Sequence, residues 1–134
     1  MKELIVDALN ENLPEVMSFL DESLEAFGCP LKARMQLDLA VEELFVNVAN
    51  YAYAPQTGKA EIEIDLAGEI VTIAMKDAGV PYNPFAREDP DTTLSADERQ
   101  IGGLGVFLVK KNTDAADYRF EDGKNIVTIQ KKIF

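Results

Sequence analysis

The chain has 134 residues, of which 47% are hydrophobic and 28% are charged, a composition typical of a globular protein that buries a core. A net charge of −11 disfavours nucleic acid and anionic membrane surfaces as partners, because proteins that bind them carry basic patches. The absence of histidine and the presence of one cysteine, Cys29, exclude a Ser-His-Asp triad, a histidine phosphoacceptor and the usual thiolate zinc sites.

The amino-terminal half predicts one strand and two helices. Residues 2–7 (KELIVD) form a short strand. Residues 13–27 form an amphipathic helix, with Asn12 as a candidate N-cap and Gly28 directly after the helix. A second helix, with a wide apolar surface, covers residues 31–52.

The carboxyl-terminal half predicts two hairpins separated by a loop and a helix. The first hairpin covers residues 60–77, and its first strand alternates apolar and acidic side chains. A long loop over residues 78–101 is either an active-site lid or a disordered segment. A helix over residues 103–112 follows, and the last hairpin turns at Asp122–Gly123. This order predicts a two-layer α/β sandwich of the α+β type, in which helices cover one face of a mixed, mostly antiparallel sheet.

We expect residues 1–134 to form one domain in the cytoplasm. Asp7 and Asn10 interrupt the hydrophobic run near the amino terminus, so that no signal peptide is predicted. No stretch approaches the roughly 18 apolar residues of a membrane span. No linker or repeat divides the chain.

Three glycines, Gly102, Gly103 and Gly105, stand directly before the predicted helix in the stretch IGGLGVFLVKK. Neither the P-loop pattern nor the dinucleotide fingerprint is present. Two interpretations remain. The glycines form a plain turn that needs positive φ, or they allow backbone N–H groups at the start of a helix to surround a phosphate.

Two further clusters of polar residues are candidates for the same site. Glu43 and Asn47 lie one turn apart on the second helix, and Asn50 follows them. The carboxylate and amide oxygens of these residues suit Mg²⁺. Alternatively, the carboxylate accepts a proton from an attacking hydroxyl. A third interpretation is an ordinary exposed helix face, where both residue types are common. Asp77 lies at the end of a central strand, and Gly79 lies two residues later. The two residues form either a simple turn or a site in which the carboxylate binds an adenine amino group and the glycine lets the ring come close.

Together and in this order, the three motifs resemble the GHKL (histidine-kinase-like) ATPase superfamily. The stretches LDLAVEELFVNVANYAY, DAGVPYNPF and IGGLGVFLVKK look like its N-, G1- and G2-boxes. The similarity covers almost the whole chain and is closest to the bacterial anti-sigma factor serine/threonine kinases. It implies a single histidine-kinase-like ATPase domain over residues 1–134 with the Bergerat ATP-binding fold.

The resemblance also implies roles for individual residues, with ATP and Mg²⁺ as the ligands. Glu43 is the general base, Asn47 ligates Mg²⁺, and Asn50 reaches a phosphate or a metal-bound water. Asp77 binds the adenine amino group, and Gly79 lies beneath the ring. Arg99 lies in a lid over residues 86–101, the backbone around the glycines contacts the phosphates, and the Thr128 hydroxyl lies near adenine. The remaining implied ATP-binding residues are therefore Arg99, Gly102, Gly103, Leu104, Gly105, Val106 and Thr128.

The implied function is phosphorylation of an anti-anti-sigma (STAS-type) partner, with sequestration of a sigma factor. No direct contact with nucleic acid or membrane is implied, and a homodimer is possible by analogy. Pro81 replaces the second glycine of the G1 box, and the first helix is acidic. The alternative is a non-catalytic nucleotide-binding module that sequesters a protein partner.

Overall fold

The computed structural model describes residues 1–53, 57–86 and 103–134, with five strands and three α-helices. The strands are β1 (Lys2–Asp7), β2 (Lys59–Ala67), β3 (Ile70–Asp77), β4 (Ala115–Glu121) and β5 (Lys124–Lys132). The helices are α1 (Leu13–Ala26), α2 (Leu31–Asn47) and α3 (Gly103–Asn112), and a π-helical turn, Val48–Ala52, continues α2. The elements predicted from the sequence are therefore confirmed, with bounds that differ by a few residues at most.

The five strands form one sheet in the order β1-β2-β3-β5-β4, and every pairing among these described strands is antiparallel. The predicted sandwich is confirmed, whereas the mixed sheet is not. Two consecutive helices connect β1 to β2 and return the chain to the end at which β1 finished, which makes these strands antiparallel. The crossover through α3 makes β4 point the same way as β3, but β5 lies between them.

The hydrophobic core lies between the sheet and the helices. Along β2, Ile62 and Ile64 are fully buried while the alternating acidic residues face away, as the period-2 pattern predicts. The largest fully buried side chains come from both layers: Phe45, Leu20, Leu24, Leu37, Ile62, Ile64, Ile73, Met75, Ile129, Val16, Val41 and Val71. The core therefore fixes α2 directly on the central strands.

Local sequence signals explain two of the chain reversals. Gly28 follows α1 with φ of 73°, the Gly28 N–H donates to Glu25 O, and the Cys29 N–H donates to Leu24 O, which together form a Schellman motif. Asp122 and Gly123 both have positive φ in the β4–β5 turn, as their sequence predicts. Asn12 precedes α1, but its side chain donates to Asp7 O instead of capping the helix.

Candidate functional site

A pocket of about 340 Å³ opens where β3 ends, β5 begins and α2 ends. This volume lies within the range of small-molecule sites. The lining includes three polar side chains, Asn47, Asp77 and Asn125, and is otherwise apolar or aromatic. The lining residues are Leu44, Asn47, Val48, Tyr51, Ala52, Met75, Asp77, Val80, Pro81, Tyr82, Pro84, Asn125 and Val127.

Asp77, which was predicted from the sequence to bind the adenine amino group, supplies the carboxylate among the described residues that line this pocket. The residue is the last of β3 and is only 7% exposed. Its Oδ1 accepts hydrogen bonds from the Gly79 N–H at 2.9 Å and from Asn125 Nδ2 at 2.9 Å. Within the described residues no hydrogen bond reaches Oδ2, so this oxygen is available to accept a bond from a bound molecule.

Gly79 has a structural reason to be glycine that the sequence did not reveal. A Cβ built at this position would overlap Ala52 O and would lie 2.7 Å from Ala52 C. The next residue, Val80, donates its N–H to the same carbonyl oxygen at 3.0 Å. Gly79 itself does not line the pocket. The close contact here is with the π-helical turn, and not with the space in which the sequence analysis placed an adenine ring.

Tyr53, which follows the π-helical turn, forms hydrogen bonds with the residues next to the pocket-forming end of β3 and with the start of β2. Its Oη donates to Lys59 O at 2.7 Å and accepts the Ala78 N–H at 2.7 Å. The start of β2 and the residue after β3 are therefore tied to the end of the helical segment. A Cβ at Gly58 would overlap the Tyr53 ring, which explains glycine at that position.

The three polar residues predicted on the second helix are placed differently. Asn47 lines the pocket. Glu43 lies one turn earlier, outside the lining, with its carboxylate beside the first turn of α3. Asn50 lies in the π-helical turn, and its Oδ1 accepts a hydrogen bond from Asn10 Nδ2 at 2.8 Å. Asn50 therefore faces the segment before α1, and it is not among the lining residues.

Glu43 contacts the glycine-rich start of α3 directly. A Cβ at Gly105 would overlap Glu43 Oε2 and would lie 3.4 Å from Glu43 Cδ. Burial raises the pKa of Glu43 above its usual value, and the neighbouring charge of Glu42 adds to the rise. A carboxylate with a raised pKa accepts a proton more readily near neutral pH, which is the property required of a general base.

The described glycines of this stretch, Gly103 and Gly105, lie in the amino-terminal turn of α3, as the sequence predicted. Gly103, Leu104, Gly105 and Val106 all belong to this helix, and α3 packs beside α2. The first N–H groups of a helix have no partner within the helix, and the positive end of its dipole lies there. Arg99, Gly102 and the predicted lid after residue 86 lie outside the described residues.

Thr128 is not brought to the pocket. It pairs with Ala74 of β3, whereas its neighbour Val127 pairs with Met75 and lines the pocket. Because side chains alternate along a strand, Thr128 belongs to the sheet face opposite the helices. Asn125 is the β5 residue that meets Asp77, and the sequence analysis missed it. An asparagine inside a strand-forming stretch, where this residue type is depleted, was the available signal.

The residues of the pocket fit a nucleotide and a hard metal ion. Asp77 Oδ2 can accept a bond from a base, apolar side chains can contact its ring, and Asn47 offers an amide oxygen. Among the described residues no three His, Cys, Asp or Glu side chains form a metal cluster. Mg²⁺ bound with phosphates keeps several waters and takes only one or two protein ligands, so the amide oxygen of Asn47 can serve as one of them.

Comparison with known proteins identifies the family. The model of the histidine kinase-like ATPase domain matches residues 6–131, which is nearly the whole chain. The chain belongs to this family. Membership in an ATPase family implies ATP as the nucleotide. No helix of the described segments combines the length and hydropathy that a membrane span requires.

One curated relative and two solved structures are similar to the chain. The chain is 27% identical over 99 residues to the serine/threonine-protein kinase BtrW of Bordetella bronchiseptica, covering 73% of this chain and 70% of BtrW. Its fold matches the RsbU and RsbW domains of Rv1364c from Mycobacterium tuberculosis, with a TM-score of 0.68 at 16% identity. It also matches the blue-light activated histidine kinase EL346 of Erythrobacter litoralis, with a TM-score of 0.55 at 19% identity.

These matches cover different shares of the compared chains. The match to the mycobacterial protein covers 99% of this chain but only 33% of that chain. The match to the Erythrobacter kinase covers 78% of this chain and 46% of that chain. At these identities the structures show a shared fold.

Proposed function

We propose that this chain is an anti-sigma-factor-type serine/threonine protein kinase that transfers the γ-phosphoryl group of ATP to an anti-anti-sigma partner of the STAS type. The observation that carries the proposal is the position of Glu43. Its carboxylate, with a raised pKa, lies one helical turn from Asn47 and against the first turn of α3. A module that only binds nucleotide would not need a base at this position.

In the proposed complex, the base of ATP occupies the pocket with its amino group at Asp77 Oδ2. The N–H groups of Gly103, Leu104 and Gly105 face the phosphates, as expected for a helix amino terminus. Asn47 would hold Mg²⁺, which neutralises phosphate charge when bound. This arrangement suits phosphoryl transfer, because that reaction depends on positioning and charge neutralisation more than on covalent chemistry.

Glu43 would accept the proton of the attacking serine or threonine hydroxyl. A positioned general base typically contributes about 10²- to 10⁴-fold to a rate. Partial burial supports this role because it raises the proton affinity of the carboxylate. Glu42, the adjacent residue, is exposed and serves as a matched control, because its substitution keeps the Glu43 carboxylate and removes only the smaller cause of its raised pKa.

The function is tested by separating ATP binding from phosphoryl transfer. Calorimetry with and without Mg²⁺ on the wild type and Asn47→Ala measures binding, and we expect Mg²⁺-dependent affinity that the variant weakens. Mass spectrometry of candidate STAS-type proteins, incubated with the chain and Mg-ATP, measures transfer. We expect Glu43→Gln to bind ATP but to lose transfer by about 10²-fold or more, whereas Glu42→Gln retains both.

Two outcomes would contradict the proposal in different ways. Absence of ATP binding by the wild type would refute the nucleotide site. Mg-ATP binding without phosphorylation of any STAS-type protein, and with Glu43→Gln indistinguishable from the wild type, would leave a nucleotide-dependent binding module. In that case release or capture of the partner on ATP addition would be the activity to measure.

A further inference from the structure

Asn125 uses its side-chain amide completely. The residue is 4% exposed, and Nδ2 donates to Asp77 Oδ1 at 2.9 Å and to Val80 O at 3.0 Å. Its Oδ1 accepts the Tyr82 N–H at 3.0 Å and the Tyr118 hydroxyl at 2.6 Å. Two donors and two acceptor positions are all that a primary amide offers.

The partners of Asn125 also fix which way the amide points. Asp77 and the Val80 carbonyl can only accept, and the Tyr82 N–H can only donate, so the amide cannot be turned over without losing bonds. An aspartate would place a second carboxylate against Asp77 and would leave the Val80 carbonyl without its donor. Only an asparagine of this length satisfies all of these groups at once.

The consequence falls on the Asp77 carboxylate. Asn125 is the β5 residue directly paired with Asp77, and its bond joins that of the Gly79 N–H on the same oxygen, Oδ1. Two donors on one oxygen hold the plane of the carboxylate in one orientation. The other oxygen, Oδ2, is left to accept from a molecule in the pocket that both residues line.

We propose that Asn125 is a positioning residue that sets the base specificity of this pocket. By holding Asp77, it presents Oδ2 to the 6-amino group of a purine and selects a 6-aminopurine over a 6-oxopurine. A 6-oxo group would bring its own lone pairs against the carboxylate, and neither group could donate. The inference rests on the proposed nucleotide site and adds a residue that controls which nucleotide it takes.

The test compares the affinities for ATP and inosine triphosphate, which carries a 6-oxo group. We expect the wild type to prefer ATP by about 10- to 100-fold, the range for a hydrogen bond to a charged group. In Asn125→Ala the preference should fall below about threefold, because the freed carboxylate can rotate. Tyr118→Phe is the matched control, since it leaves both N–H donors of Asn125 in place and should retain the preference.

The ratio of the two affinities distinguishes specificity from mere stability. If Asn125 only supported the fold, its loss would weaken both nucleotides equally and leave the ratio unchanged, and this result would overturn the proposal. Asn125→Leu keeps a branched side chain of similar length without the amide, and it is measured beside Asn125→Ala, with thermal unfolding by circular dichroism to select the folded variant. A wild type that binds neither nucleotide would refute the proposed function itself. A discriminating wild type with unchanged variants would refute only the role of Asn125.

Discussion

Substitution of Gly79 by alanine separates two explanations of why this position is glycine. The resemblance to the family implies that Gly79 lies beneath an adenine ring, which predicts that Gly79→Ala loses ATP affinity and keeps its stability. In the structure the position faces the backbone of Ala52. This contact predicts that the variant loses stability even without nucleotide.

The size of the effect follows from the contact. Gly79 is not among the described glycines with positive φ, so alanine is not strained by its own backbone angles. Its Cβ would overlap Ala52 O and would lie 2.7 Å from Ala52 C and 2.8 Å from Ala52 Cβ. Because backbone cannot rotate away, the overlap costs about 1–3 kcal/mol. Weakening of the bond from the Val80 N–H to Ala52 O adds about 0.5–1.5 kcal/mol.

We therefore expect Gly79→Ala to lower the free energy of unfolding by about 1.5–4.5 kcal/mol. Urea denaturation without nucleotide measures this change directly, provided that the slope of the transition is unchanged. Gly68→Ala is a useful comparison, since Gly68 has φ of 63° with no atom near the built Cβ. Its cost comes from backbone strain alone, about 1–2 kcal/mol, and should leave ATP affinity unchanged.

One result would refute this reasoning. If the free energy of unfolding of Gly79→Ala lies within about 0.5 kcal/mol of the wild-type value, the close contact with Ala52 is not what requires glycine. Loss of ATP affinity in such a stable variant would instead support the earlier explanation, in which the base lies against this residue.

Two further predictions concern carboxylates. Gly105→Ala should change the free energy of unfolding by less than about 1 kcal/mol, because alanine favours the helix while only the flexible end of Glu43 must move. Displacement of the Glu43 carboxylate should nevertheless slow phosphoryl transfer to the partner by about tenfold or more. An unchanged rate of transfer would contradict this prediction. Burial, supported by Asp21, raises the pKa of Asp38 to about 7 from 3.8, so the folded chain keeps a proton that the unfolded chain loses. The free energy of unfolding should then fall as pH rises from about 4 to about 7. Urea titrations at about pH 5 and about pH 8 measure this fall, which should be smaller in Asp38→Asn than in the wild type. An equal fall in the two proteins would count against the assignment to Asp38.

The helices and strands could be predicted from the sequence to within a few residues, because the signals for them are local. The alternation in β2, the Asp122–Gly123 turn and the glycine after α1 each act over a few residues. The same is true of Asn47, whose place at the end of a helix brings it to the pocket. The resemblance supplied the family, which the comparison confirmed over residues 6–131.

The contacts of the glycines and of the polar residues of the pocket depend on the tertiary structure and could not be predicted from the sequence. Gly79 meets Ala52 and Gly105 meets Glu43, and neither contact follows from the pattern around the glycine. Asp77 and Asn125 stand 48 positions apart and meet because β5 lies beside β3. A strand order places residues of distant segments together, and the register of the pairing decides which of them face the helices. Propensity and periodicity describe neighbours along the chain, so the partner of Asp77 could be found only in the folded sheet.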